Sequence, residues 1–239
     1  MYNALVEKLA RRDVLDAVEE AALARVLGPA IRVPAGRDIV SEHVRVEQST
    51  LILSGFTARY TTLANGRRQI TEINLTGDFI DLHSLLMKQM DHGIVALTDC
   101  VIAHASHADL RKLVDDHGHL ARLLWLDTVI DAAIHRQWLV AMGRRSALAH
   151  LCHLICEMYL RLEVVGQAAD HVFDLPLSQA VLGDALGLST VHVNRLIGEL
   201  RGEGVITWVG ARITVLRWDR LAEIAEFDPT YLRLHREPT

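Results

Sequence analysis

The stretch from Ser178 to Arg201 leaves this chain few choices of local structure. Ser178 follows Pro176 and can cap a short helix with an apolar side of Val181, Leu182, Ala185 and Leu186. Gly187 offers that helix a left-handed end, and Ser189 caps a second helix at once. Val193, Leu196, Ile197 and Leu200 recur at helical spacing and mark the buried stripe of the second helix. Two short helices joined through a glycine-containing turn make a helix-turn-helix. Gly202 and Gly204 stop the second helix. Residues 205–209 and 212–216 then predict two strands around Gly210 and Ala211, a wing.

A winged helix-turn-helix reads double-stranded DNA with the N-terminal residues of its second helix. Thr190, Val191, Asn194 and Arg195 fall on the outward face that would meet base edges. Arginine can bridge guanine O6 and N7, asparagine can pair with adenine, and threonine or valine can touch a thymine methyl. Ser189, His192 and Arg212 are placed for phosphate contacts, which set register and not sequence. The 239-residue chain carries a formal charge of −5, so DNA affinity must come from a local face.

Upstream the pattern changes. Met1–Gly28 reads as an amphipathic helix carrying Leu5, Val6, Leu9, Val14, Leu15 and Val18, stopped by Gly28 and Pro29. Over 30–107, short apolar runs (31–33, 50–56, 57–63, 69–75 and 94–105) are separated by turn residues, the pattern of a sandwich or roll. Asn65-Gly66 predicts a hairpin turn with positive φ at both positions. Residues 108–142 read as one long helix. Leu123, Leu126, Ile130, Ala133, Gln137 and Val140 follow a 3-4-3-4 spacing, which reads as the coiled-coil seam of a homodimer, the alternative being a buried core helix in a monomer. A second apolar row, Leu120, Leu124, Thr128, Ala132 and Leu139, lies beside it. Gly143-Arg144-Arg145 reads as a hinge, and the remainder as mostly helical with one hairpin.

The expected organisation is an α+β chain in three parts: an N-terminal helix plus strand-rich sensor (1–107), a dimerisation helix (108–142) and a winged helix-turn-helix (143–239). Apolar residues make up 50% and charged residues 23%, enough for a packed core and against gross disorder. No apolar run reaches bilayer length and the N-terminus lacks a secretory leader, so a cytoplasmic protein without membrane contact is expected, its three cysteines reduced.

These residues resemble the Crp/Fnr family of bacterial transcription regulators. The strongest part is Leu186-Gly-Leu-Ser-Thr-Val-His-Val-Asn-Arg195 followed by Leu200-Arg-Gly-Glu-Gly-Val-Ile206, and the second is Gly77-Asp78-Phe79. The resemblance implies a cyclic-nucleotide-binding-like β-roll, a double-stranded jelly roll, ahead of the long helix. It implies a homodimer on a palindromic operator, a small-molecule effector and contact with RNA polymerase. The family's base-reading positions match Thr190, Val191 and Arg195. Many members carry glutamate where Val191 stands, and valine cannot accept a hydrogen bond from cytosine.

The implied effector pocket comprises Gly77, Asp78, His83, Ser84 and His92. Cyclic-nucleotide-binding members clamp the phosphate with an arginine, and Gln89–Val95 here holds none. Cyclic AMP bound in the usual way is therefore not expected, unless a protonated His92 substitutes. Members with an iron–sulfur cluster use cysteines near the N-terminus, whereas the first here is Cys100, so no cluster is expected. Residues 77–84 are similar to the segment of the family's carbon-monoxide sensor that gives haem a histidine, which would be His83. The thiolate two residues earlier is Asp81 here. A haem-based gas or redox sensor and an effector-independent regulator both stay open.

No other metal site is expected. His117 and His119 lack a third ligand at sensible spacing, and Cys152, His153 and Cys156 sit in an apolar run. No nucleophile elbow or phosphate loop appears. His43, His83, His92, His104 and His107 do not form the ligand set of a metal-dependent barrel, so an enzyme is not expected.

Overall fold

Asp16 and Glu19 divide the N-terminal segment. The Asp16 carboxylate accepts from the Glu19 amide, and Glu19 accepts from the Asp16 amide, a capping box that starts a new helix. The computed structural model, which describes residues 3–237, accordingly has α1 (Asn3–Ala10) and α2 (Ala17–Val26) where one helix was expected. Met1, Tyr2, Pro238 and Thr239, which belong to the two outer segments of the expected organisation, lie outside the described residues.

Seven strands follow: β1 (Ile31–Val33), β2 (Asp38–Val40), β3 (Gln48–Ser54), β4 (Thr57–Thr62), β5 (Arg68–Asn74), β6 (Gly93–Ala96) and β7 (Cys100–Ser106). A one-turn helix, α3 (Ser84–Met87), separates β5 from β6. The strands make two sheets, ordered β1-β7-β3 and β2-β6-β4-β5. Ile52 of β3 meets Val40 of β2 and Ile94 of β6 in one apolar cluster, which joins the sheets into a roll. β2 has three residues, too few to show alternation, and the sequence did not reveal it.

The hairpin at Asn65-Gly66 forms with a different turn from the one expected. The Gly66 amide donates to Leu63 O and the Leu63 amide to Arg67 O; Gly66 has φ +78°, and Asn65 is not in the left-handed region. That is a three-residue loop closed by one left-handed glycine, and the Asn65 side chain accepts from the Arg67 amide instead of its backbone turning over.

The expected helix over 108–142 is two helices, α4 (His107–Asp116) and α5 (Gly118–Arg144). His117 leaves helical geometry at φ −129°, ψ 81° just before a glycine. At the other end α5 runs through Gly143 and Arg144, and the break falls at Ser146, whose hydroxyl caps α6 (Ala147–Val164). The expected seam also needs correction. Leu123 and Ile130 are buried within their own chain, Leu123 in a cluster with Leu51, Phe79 and Leu113. Leu126, Ala133 and Gln137 are half-buried, and Val140 is exposed. On the neighbouring face Trp125, Val129, Ala132, Arg136 and Leu139 are spaced 4-3-4-3 and are all exposed, Trp125 by 72% and Leu139 by 64%. The hydrophobic period was legible, but both rows read from it turn inward at their N-terminal ends, Leu120 and Leu124 included, and the exposed row through Trp125 and Val129 was not read.

The chain divides into two compact units, one of residues 1–61, 72–132 and 233–239, the other of 62–71 and 133–232. In the second, α6 buries twelve of its 18 residues and is therefore the central helix. Around it come β8 (Ala168–Ala169), β9 (Val172–Asp174), α7 (Gln179–Leu186), α8 (Thr190–Gly202), β10 (Ile206–Val209), β11 (Arg212–Val215) and α9 (Trp218–Ala225). The sheet order is β10-β11-β9-β8, two hairpins where one was expected. The extra turn sits on Asp170 and His171, both at positive φ. Neither is a glycine, so the sequence carried no plain turn signal there. Among the described residues no helix is long and apolar enough to cross a membrane.

Candidate nucleic-acid interface and roll interior

The α7–α8 turn is built by three capping contacts. Ser178 Oγ accepts from the Val181 amide at 3.2 Å, and Ser189 Oγ from the His192 amide at 3.3 Å. Gly187 closes α7 at φ +69°. The turn is also tight: a Cβ on Gly183 would stand 2.7 Å from Leu188 O. Glycine is thus required inside α7, a requirement the sequence reading missed because its cause lies five residues on. Val193, Leu196, Ile197 and Leu200 are buried as the spacing predicted. The other side of α8 presents Thr190, Val191, Asn194 and Arg195 to solvent, Val191 by 77%. An Arg195 Nη2 hydrogen reaches His192 Nε2 at 3.0 Å, which orients the guanidinium along the helix face.

Ser189 is exposed at the helix start, where the unpaired amides of a helix favour an anion. His192 is half-buried. Arg212 is exposed, but its Nε and Nη2 bind both oxygens of Asp174 at 3.0 and 3.1 Å. The two are register partners on β11 and β9. This pairing escaped the sequence reading because β9 did.

The roll keeps its own charges. Asp78 accepts from the Leu75 amide and from Lys8 Nζ at 2.8 Å, and Lys8 also pairs with Asp127 at 2.7 Å. Burial opposes the Lys8 charge, but Asp127 and Asp78 outweigh it and raise its pKa. Asp78 is thus committed to the chain's own lysine. Gly77 lies against the backbone of Ala4, 3.0 Å from where its Cβ would be. Arg59 on β4 is buried between Glu72 at 2.7 Å and Asp131 at 2.6 Å, and donates to Ile80 O. Burial opposes this charge too, and Glu72 and Asp131 override it. Asp81 is fully buried, accepts from the amide and hydroxyl of Thr50, and burial pushes its pKa up to about 7.

These residues fit a cyclic nucleotide poorly. The roll's buried guanidinium is already neutralised by two carboxylates, and a further anion would have to displace one of them. They fit haem poorly too, since the residue standing where a thiolate would be needed is Asp81, buried and bound by Thr50.

His83 and His92 do come together. Their ring centroids are 5.2 Å apart, and His92 Nδ1 lies 2.6 Å from Asp91 Oδ1. Burial, with Arg59 and His92 adding to it, lowers the His83 pKa to about 4. Ser84 lies elsewhere in the network: its hydroxyl meets His107 Nε2 at 3.0 Å, a nitrogen that Ser49 also approaches. Cys152 and Cys156 are buried on α6, and burial drives the Cys152 thiol up to about 12 and Cys156 higher still, so neither is a thiolate.

Residues 149–224 match the family model of the Crp-like helix-turn-helix domain, and residues 30–117 that of the cyclic nucleotide-binding domain. The transcriptional activator protein FnrL of Cereibacter sphaeroides is 25% identical over 198 residues, covering 81% of this chain and 79% of its own. The nitrogen fixation regulation protein FixK of Bradyrhizobium diazoefficiens is 26% identical over 199 residues, covering 83% of each. Among solved structures, FixK2 from Bradyrhizobium japonicum shares the fold with a TM-score of 0.74 and 24% identity, over 82% of this chain and 96% of its own.

Proposed function

We propose that this chain, which belongs to the Crp/Fnr family of DNA-binding transcription regulators, works as a homodimer that reads a two-fold symmetric operator with the exposed face of α8. The observation that carries the reading is the pairing of a capped, glycine-tight turn with Thr190, Val191, Asn194 and Arg195 at the surface just beyond it. Arg195, with Asn194, supplies hydrogen bonds to base edges, and Val191 with Thr190 an apolar contact to a thymine methyl. Ser189 and His192 hold the phosphate backbone. Arg212 contributes little charge while Asp174 holds it.

The dimer seam of this reading is the exposed row Trp125, Val129, Ala132 and Leu139, with Val140 at its edge. A Trp and a Leu left open on a helix of 27 residues are what a coiled-coil partner would cover. In functional terms the roll with α4 forms the sensor, α5 the dimer helix, and the remainder from Ser146 the reader. The protein acts in the cytoplasm by occupying DNA and contacting RNA polymerase, and not by catalysis. Its effector is something other than a cyclic nucleotide clamped in the usual way.

A selection from random DNA tests this. The expected product is a near-palindrome with half-site centres about one helical turn apart. Arg195→Ala costs about 1–3 kcal/mol and relaxes one base position, and Val191→Glu moves the preference there toward cytosine. Trp125→Glu yields monomers with weakened operator binding. A wild-type protein that selects no sequence, or a Trp125→Glu variant that stays dimeric, overturns the corresponding half of the proposal.

A further inference from the structure

A second group of side chains on the roll takes no part in reading DNA. His83 stands at the start of α3, and Asp91 and His92 lie just ahead of β6. One donor atom from each of the three lies within 4.8 Å of the other two. His83 Nε2 is shut off from solvent and makes no hydrogen bond. A buried ring nitrogen without a partner costs free energy, and native proteins keep few of them without a use. Asp91 Oδ1 stands 2.6 Å from His92 Nδ1, so its carboxylate and that imidazole already face each other within the cluster.

The local charge also favours a cation. Arg59 is the nearby positive group, and it is offset by Glu72 and Asp131, with Asp91 in addition beside the histidines.

We propose that His83, His92 and Asp91 form a binding site for one divalent transition-metal ion of the zinc, cobalt and nickel class, with solvent completing its shell. A tetrahedral ion with bonds of about 2.0–2.1 Å sets its donors about 3.3 Å apart. The three donors therefore need to close modestly, and Asp91, with a side chain 67% exposed, is free to rotate. Two imidazoles and one carboxylate suit borderline ions and not magnesium or calcium. Binding ties the start of α3 to the start of β6 and fixes the segment between. That segment now exposes Leu86 by 83% and Met87 by 55%, and turns through a left-handed Lys88. The metal is thus a candidate signal for the sensor, independent of whether α8 reads DNA as proposed.

The test is titration of the chelator-stripped full-length protein with zinc by calorimetry and with cobalt by absorbance. One ion per chain at micromolar affinity or tighter is expected, with a visible d–d band for cobalt. His83→Ala and His92→Gln each weaken zinc binding about 100-fold, and Asp91→Asn about 10-fold. His171→Ala, which removes a histidine packed on Tyr159 and Trp218, leaves it unchanged. Circular dichroism checks that each variant folds, and His92→Gln keeps the test decisive if His83→Ala does not. Binding that persists undiminished in folded His83→Ala and His92→Gln, or zinc affinity no better than millimolar in the wild type, overturns the proposal.

Discussion

Inside the roll, Arg59 is gripped by Glu72 and Asp131, Lys8 by Asp78 and Asp127, and Asp81 is enclosed with Thr50. Inside the C-terminal unit, α6 buries Leu151, Cys152, Ile155, Cys156 and Met158. Its buried histidines, His150 and His153, are kept neutral, with pKa values lowered to about 4 and about 3, chiefly by burial. Among the described residues one carboxylate, Glu157, is enclosed there, and Trp138, Tyr231 and Arg161 all donate to it. A reading helix has to be presented rigidly, and a close-packed apolar core does that. In the first unit each buried charge is held by partners of opposite sign, and removing one partner strands the others.

Removing one partner from the roll's charge network breaks the comparison most sharply. Arg59→Met strands Glu72 and Asp131 and costs about 3–5 kcal/mol. Hydrogen exchange resolved by unit should show the loss in the roll while the amides of α6 keep their protection. Equal loss in both would mean that the two interiors are not energetically separate.

The next effect is on the acid side. A histidine held neutral has a folded pKa below its unfolded one, so its stability contribution is full above pH 6.5 and is lost as pH falls toward the folded value. For His153, on the order of 3 kcal/mol disappears from the C-terminal unit between pH 6.5 and 4. His153→Phe keeps a ring against Phe227 and Tyr231 and should remove that loss in acid melts. An unchanged acid profile would show that His153 does not titrate on unfolding.

Asp81 gives the opposite slope. Its folded pKa is raised to about 7, so the stability it contributes is full below the ordinary carboxylate pKa and lost as pH rises through 7. Between pH 5 and 8 the loss is roughly 2–3 kcal/mol, all in the roll. Asp81→Asn should flatten it, as read by denaturant midpoints at the two pH values.

The smallest stability effect is expected at the reading face. Arg195→Ala touches neither core and should change stability by less than about 0.5 kcal/mol, while operator affinity drops about 10- to 100-fold. A large loss of stability would mean that the Arg195–His192 contact is structural.

The reader was almost fully legible in the sequence because its determinants are local. Ser178, Gly187 and Ser189 act on backbone groups within four residues, and the stripe Val193, Leu196, Ile197 and Leu200 follows the helix's own period. The strand-rich character of 30–107 was legible for the same reason, as was the hairpin at Asn65-Gly66, though not its turn type. The effector pocket was less so. The residues expected to line it, Gly77, Asp78, His83, Ser84 and His92, are divided among a contact with α1, an ion pair with Lys8, a histidine pair and a Ser84–His107 contact.

By itself the sequence determined the helix-turn-helix, its wing, the alternation of a strand-rich roll with a long helix, and the missing arginine in Gln89–Val95. Tertiary structure decided the rest. It put Leu123 and Ile130 inside and Trp125, Val129 and Leu139 outside, paired Arg212 with Asp174, and brought His83 to His92. The physical reason is range. Caps, turns and periodicity are set by interactions over a few residues, which one sequence displays. The inward row of a helix, or the partner of a buried charge, is fixed by chain segments tens of residues away, and only packing selects among them.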